Sequence, residues 1–358
     1  MENEFNKELS KIGKQAREYI EKSKYSKLLK PKDILVGSLS YPKSSGKALR
    51  PAILMFACGA VGGDIKKAKL AAAAVELYHT WTLVHDDIID HGKLRRGNPT
   101  VHEYFYNKSK DNKYSEEEAT DYGRNIAILV GDIQHSWSVW LLTELVKSKV
   151  KPEVVLSLIS EMESRVSPLL IEGETLDIQY EKKKVEDLSI SQILDMSAKK
   201  TGELYSFAAR AGAMIGKNVS NPKDKDAEKI ANFCFNAGVA FQLQDDILDL
   251  TSKEKKFGKE IGGDIKEGKR TTIIWYAYNK ANTLQKKELS NILGNKKATK
   301  KEIARAISLI EELGGIENTK KLALTYIKKA KKYLEGIPES KYKKLLLFWA
   351  DFMVERSV

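Results

Sequence analysis

The chain has 358 residues, 42% of them hydrophobic, which suffices for one large core or two ordinary domains. Charged residues make up 31% and the net charge is +12, a balance suited to nucleic acid, an anionic membrane surface or phosphorylated small molecules. Only ten residues are Arg, the side chain that reads bases and phosphates bidentately, so nucleic acid is not an expected partner. No apolar run of about eighteen residues predicts a transmembrane segment. The opening stretch MENEFNKELSKIGKQ is polar and lacks a signal-peptide core. Cys58 and Cys234 sit in apolar stretches without metal-ligand spacing, as buried free thiols of a cytoplasmic protein would.

In chain order, apolar residues recur at three and four spacing nearly throughout, and Pro is scarce. Residues 1–40 read as a helical segment without motif content. Asp64 is placed to cap a helix that runs to about His91 without Gly or Pro, apolar on most faces and so packed on several sides. The stretch 107–121, NKSKDNKYSEEEATD, reads as a solvated loop or a surface helix. AILV at 127–130 could be a short strand. A second long helix runs from about Asp224 to Lys255, and its Gly238 suggests close helix packing or a kink. No linker separates two composition regimes, so the expectation is a single all-α domain over 1–358.

Two acid clusters share one spacing. WTLVHDDIID ends an apolar helix with Asp86, Asp87 and Asp90; FQLQDDILDL does the same with Asp245, Asp246 and Asp249, 159 residues later. A helix turns about 100° per residue, so the first and fifth positions lie only about 40° apart. Two carboxylates on successive turns make a ledge of hard oxygen ligands, which suits Mg²⁺ completed by phosphate. Acids bordering a core are costly without a cation, and the expectation is two ledges facing across a cavity, holding Mg²⁺ and a diphosphate.

Basic residues cluster nearby in sequence. Arg95 and Arg96 follow the first cluster, freed from the helix by Gly92 and Gly97. Lys47 and Arg50 stand at i and i+3, as on one helical face. Lys200 lies in KKTGE, and a Gly-rich stretch at 257–272 carries Lys259, Lys266, Lys269 and Arg270 without P-loop spacing. His79 lies nearly two turns before Asp86 on about the same face.

GKALRP, HDDIIDHGKLRRGNPTVH, LVGD, GETLDI, KKTGELY, FQLQDDILD and FGKEIGGDIKEGKRTT stand in one order from about Lys43 to Thr272. In this the chain resembles the trans-isoprenyl diphosphate synthases, or polyprenyl synthetases, most like the archaeal-type short-chain geranylgeranyl diphosphate synthases. The resemblance implies an isoprenoid synthase-type bundle of antiparallel helices around a central cavity, usually a homodimer. It implies Mg-dependent condensation of isopentenyl diphosphate with allylic diphosphates, with three Mg²⁺ ions on Asp86, Asp87 and Asp90 and on Asp245, Asp246 and Asp249. Arg95, Lys200, Thr201, Gln242 and Lys259 match residues for the allylic diphosphate; Lys47, Arg50, His79 and Arg96 match those for isopentenyl diphosphate. No side chain is nominated as general base, because the released diphosphate takes the proton in the family.

Four departures stand out. Ala48 replaces a basic residue common in the family, and Glu174 stands where Gln is common, adding a charge near Asp177. Residues 107–120 look like a polar surface insertion, and residues 1–40 match no motif. Trp81, five residues before Asp86 and about 7.5 Å deeper by helix rise, is expected with Thr82 to set product length. An aromatic there resembles synthases with a C20 product; a C15 farnesyl product is the alternative, and a class I terpene cyclase a more distant one.

Overall fold

Helix starts in this chain are written as reciprocal hydrogen bonds. Ser115 Oγ accepts from the Glu118 amide while the Glu118 carboxylate accepts from the Ser115 amide, satisfying two donors that a helix start would orphan. The same box opens helices at Ser189, Asn282 and Thr299. The computed structural model describes residues 1–44, 46–251 and 261–355.

Among the described residues the fold is all-α. The helices are α1 Glu2–Lys22, α2 Lys32–Lys43, α3 Leu49–Ala60, α4 Lys69–Ile89, α5 Val101–Asp111, α6 Glu116–Thr143, α7 Pro152–Glu161, α8 Ser167–Glu181 and α9 Ile190–Ser197. They continue as α10 Glu203–Lys217, α11 Lys225–Thr251, α12 Gly263–Glu267, α13 Thr272–Lys280, α14 Thr283–Ile292, α15 Lys300–Glu312, α16 Gly315–Tyr333 and α17 Lys341–Glu355. The only strands described are two-residue pieces, β1 Leu94–Arg95 and β2 Asn98–Pro99, paired antiparallel.

Contacts divide the chain into two compact units. The first takes Met1–Ser160, Ala208–Ala227 and Pro338–Leu345; the second takes Glu161–Phe207, Glu228–Ile337 and Leu346–Val358.

In the first unit α4 is the central element. Every residue from Ala71 to Tyr78 is buried, and α1, α2, α3 and α6 all pack on it. Four successive alanines, Ala71–Ala74, leave room for helix backbones on several sides, as the all-round apolar pattern predicts. Asp64 does cap, but it caps a short 3₁₀ turn, Ile65–Ala68, that leads into α4. The possible strand at 127–130 is a turn of α6: Ala127 and Val130, three apart, are buried while Ile128 and Leu129 are exposed. A helical period of burial beat the local apolar run. The polar stretch 107–121 forms the end of α5, a turn and the start of α6. Gly212 on α10 lets Leu54 approach so closely that a β-carbon there would lie 1.9 Å from the Leu54 carbonyl oxygen. At the rim, Lys341 pairs with Glu8 at 2.8 Å and Glu4 at 3.1 Å.

The second unit is centred on an apolar cluster that includes Ile247 and Leu250 of α11, Ile273 and Ala277 of α13, and Leu309 and Ile310 of α15. Trp275 bridges it to Tyr180, Leu188, Ile193 and Met196, with its indole N–H donated to the Leu188 carbonyl at 2.8 Å. Gly238 serves close packing: a β-carbon there would stand 2.9 Å from Tyr205 and 3.2 Å from the Gly202 Cα.

Candidate active site

In the first unit, α4 ends within the first acid motif. Asp90 is its C-cap, and the Asp90 amide still closes on the Asp86 carbonyl. Asp86 and Asp90 are half-buried, whereas Asp87 is 4% exposed and turned inward. Arg95 grips Asp87 with two bonds of 2.6 Å, Nε to Oδ2 and Nη2 to Oδ1, and reaches Asp86 Oδ2 at 3.4 Å. The Tyr41 hydroxyl, on α2, donates to the same Asp87 Oδ2 in a short bond and accepts from the Val101 amide. Burial, then Asp87, push the Tyr41 phenol well up, so it stays a donor.

Arg95 and Arg96 part company because they straddle a tight hairpin. Residues 96 and 97 both have positive φ, 55° and 77°, the mark of a two-residue type I′ turn between β1 and β2. Arg95 therefore faces Asp87, while Arg96 runs to Ser44 Oγ at 3.3 Å and lies along Gly46, where a β-carbon would strike its guanidinium. The turn thus frees both arginines as expected but aims only Arg95 at the acids.

Lys47 and Arg50 do not share a helical face. Ala48 takes a left-handed conformation, φ 48°, and starts α3 at Leu49, so Lys47 lies outside the helix and exposed. Arg50 Nη1 donates to His79 Nε2 at 2.9 Å. An arginine has no acceptor, so Nε2 must accept and His79 is the neutral tautomer with its proton on Nδ1. Burial first, then Arg50, Arg96 and Arg95, hold its pKa well below the ordinary value. Nδ1 itself is buried and has no hydrogen-bond partner among the described residues. Glu76, three residues earlier on α4, is buried; burial raises its carboxyl, against the pull of Arg96, Arg50 and Arg17. A single acid inside AAAAVELYHT is its signal in the sequence.

In the second unit Lys200 and Thr201 sit on a π-turn, Ala198–Gly202, between α9 and α10; such wide turns recur at functional sites. Lys200 Nζ stands 2.7 Å from Glu174 Oε2 and 2.8 Å from Asp177 Oδ2, both on α8. Lys269 reaches the same Asp177 oxygen at 3.1 Å and Glu181 at 3.0 Å. Thr201 donates to Gln242 Oε1, and Gln242 Nε2 donates to Asp246 Oδ1, each at 2.8 Å. That relay fixes Asp246, which is buried. Burial and the neighbouring Asp245, Asp177 and Asp249 outweigh the Gln242 bond and push its carboxyl up to about 7. Asp249 Oδ2 accepts from the Asp264 amide at 3.2 Å, and Asp245 is half-buried on the same face of α11. Lys259, expected at the allylic diphosphate, lies outside the described residues.

These acids fit Mg²⁺ of a particular kind. The donors are hard carboxylate oxygens, and Asp246 is raised first by burial and then by Asp245, Asp177 and Asp249, costs that a cation would offset. Among the described residues no three His, Cys, Asp or Glu side chains converge to hold an ion by themselves. An ion here would take one or two carboxylates and complete its shell with phosphate and water, the usual habit of Mg²⁺.

Trp81 lies in an aromatic cluster. Its ring meets His135 of α6 at 4.6 Å, Tyr78 at 4.9 Å and His85 at 6.1 Å between centroids, edge to face. Thr82 spends its hydroxyl on the His79 carbonyl. His135 and Tyr41 had no motif to announce them. Among the described residues no helix is long and apolar enough to cross a membrane.

The family model described as polyprenyl synthetase matches residues 32–310. A geranylgeranyl diphosphate synthase of Methanosarcina mazei is 35% identical over 328 residues, 91% of each chain. A geranylfarnesyl diphosphate synthase of Aeropyrum pernix is 30% identical over 326 residues, covering 89% of this chain and 93% of its own. Among solved structures, the geranylgeranyl pyrophosphate synthetase of Pyrococcus horikoshii superimposes with a TM-score of 0.84 at 32% identity, covering 99% of both chains.

Proposed function

Since the chain belongs to the polyprenyl synthetase family and is a trans-prenyltransferase, we propose that it joins isopentenyl diphosphate to allylic diphosphates and stops at geranylgeranyl diphosphate, C20. The observation that carries this reading is the last turn of α4. Asp87 is spent on Arg95 and Tyr41, which holds a guanidinium beside Asp86. That is an arrangement for a metal-bound diphosphate.

In this reading Asp86 and Asp90, and Asp245 with Asp246 and Asp249, would hold three Mg²⁺ ions, while Asp87 orients Arg95 beside the first set. When bound, Mg²⁺ supplies Lewis-acid stabilisation of the departing diphosphate. Arg95 and Lys200 add fixed positive charge where negative charge develops as the allylic C–O bond breaks. Gln242 and Thr201 keep Asp246 in place, and Lys259 is the further cation for this diphosphate. Lys47, Arg50 and Arg96 hold isopentenyl diphosphate, and neutral His79 offers it the Nδ1 proton. The double bond of isopentenyl diphosphate attacks the allylic carbon, a C–C bond forms, and the released diphosphate takes the proton lost, so no side chain serves as base.

Trp81, braced by Tyr78 and His135, supports a limit on chain growth, with Thr82 beside it. A homodimer in the cytoplasm completes the reading; light scattering on the purified protein tests the dimer. The test of activity is labelled isopentenyl diphosphate with C5, C10 and C15 primers, with and without Mg²⁺, and reversed-phase analysis of the products. Mg-dependent incorporation ending at C20 is expected. A terminus at C15 or C25 overturns the length, and absence of incorporation overturns the reaction.

A further inference from the structure

Lys200 is countered twice, and its two acids are not equivalent. Asp177 is 5% exposed and shared with Lys269, itself buried at 7% and tied also to Glu181. That trio is a closed scaffold. Glu174 stands one helical turn from Asp177 on α8, its side chain 20% exposed, and its carboxylate lies 2.7 Å from Lys200. Among the described residues, three carboxylates, Glu174, Asp177 and Glu181, thus face two ammonium groups, Lys200 and Lys269. A diphosphate arriving at Lys200 meets a cation already faced by two carboxylates. Among these five groups, Glu174 is the acid whose removal balances the charge and leaves the Asp177–Lys269–Glu181 scaffold whole.

We propose that Glu174 is an internal counter-ion that competes with the substrate's diphosphate for Lys200 and thereby sets affinity for the allylic substrate. The proposal rests on the reading of Lys200 as a ligand of that diphosphate. Before substrate arrives, Glu174 and Asp177 hold the ammonium group against α8. On binding, Lys200 exchanges the Glu174 oxygen for a phosphate oxygen, and the diphosphate is then left beside a like charge. The weaker affinity is the consequence, and faster release of a long product is its counterpart.

The test is a calorimetric titration of geranyl S-thiolodiphosphate, an allylic analogue that does not react, into the wild type, Glu174→Gln, Lys200→Ala and the double variant. Glutamine keeps the shape and a hydrogen-bonding group while removing the charge. Glu174→Gln is expected to bind roughly tenfold tighter, the scale of one charge-assisted hydrogen bond. Lys200→Ala is expected to bind more weakly, and the gain from Glu174→Gln to vanish in the Lys200→Ala background. KM for isopentenyl diphosphate should not move with Glu174→Gln. Unchanged or weaker binding by Glu174→Gln, with Lys200→Ala still weakened, overturns the counter-ion role alone. The same tenfold gain in both backgrounds overturns it too, since Glu174 would then act without Lys200. Unchanged binding by Lys200→Ala overturns the reading of Lys200 and the proposal with it. Thermal melts of all four proteins, within a few degrees of one another, exclude misfolding as the cause.

Discussion

Asp87 and Arg95 meet through two hydrogen bonds of equal length, 2.6 Å, and the Tyr41 hydroxyl closes on the same carboxylate from the other side. The middle acid of the first motif is thus a mount for a guanidinium, buried while its neighbours are half-buried. Asp87→Asn removes the charge and one acceptor and lets Arg95 wander. Misplacement of a positioning group by about an ångström costs about 10²-fold in rate, and a loss of kcat/KM of about that size is expected in steady-state assays. Tyr41→Phe keeps the ion pair and should lose about tenfold or less. An Asp87→Asn enzyme within twofold of wild type would show that Arg95 needs no mount.

Asp177 contributes to the acid limb of stability in the second unit. Burial alone would raise its pKa, but Lys200 and Lys269 outweigh burial and hold it below the ordinary carboxylate range. A folded pKa lower than the unfolded one, about 3.9, gives stability that is fully present above the unfolded value and lost as pH falls through the folded one. Asp177→Asn should therefore cost about 3 kcal/mol near neutral pH, the cost of breaking a buried pair. That difference from wild type should shrink below about pH 4. Urea titrations from pH 3 to pH 7 read both; a difference constant down to pH 3 would contradict the ionic origin.

Product length should follow the aromatic pair of α4 and α6. Trp81→Ala removes the indole that His135 and Tyr78 brace. The product profile on reversed-phase analysis should lengthen beyond C20, and His135→Ala should shift it in the same direction by less. A Trp81→Ala profile identical to wild type means growth stops elsewhere.

Two glycines should respond to alanine for different reasons. At Gly212 the new β-carbon would lie 1.9 Å from the Leu54 carbonyl oxygen, which is backbone and cannot rotate away. Roughly 3 kcal/mol of destabilisation is expected from such overpacking. At Gly97 nothing lies within 4 Å, and only the φ of +77° resists; about 1 kcal/mol is expected there. Equal losses in a denaturant titration would mean that packing at Gly212 relaxes freely.

What could be read from the sequence was what neighbouring residues decide together. The end of α4 at the first acid motif, the Asp64 cap and the close packing at Gly238 are all matters of a few adjacent positions. The partners were not of that kind. Tyr41 lies 46 residues before Asp87, and no pattern ties a tyrosine on α2 to an acid on α4. Lys200 could be singled out, but its counter-ions on α8 depend on how the π-turn is docked. Spacing misled once: Lys47 and Arg50 would share a helical face only if α3 began earlier, and Ala48 in the left-handed region forbids it. The one short apolar run with strand character, 127–130, is decided by the helix around it.

The first unit is assembled from three pieces of chain, Met1–Ser160, Ala208–Ala227 and Pro338–Leu345, and its last piece brings Lys341 onto Glu4 and Glu8 of α1. The second unit likewise waits for Leu346–Val358. Synthesis runs from the amino end, and domains ordinarily fold as they emerge. Here neither unit owns all of its residues until α17 has left the ribosome. A chain cut before α17 would therefore lack part of both units at once, although the helices that pack on α4 would already be present.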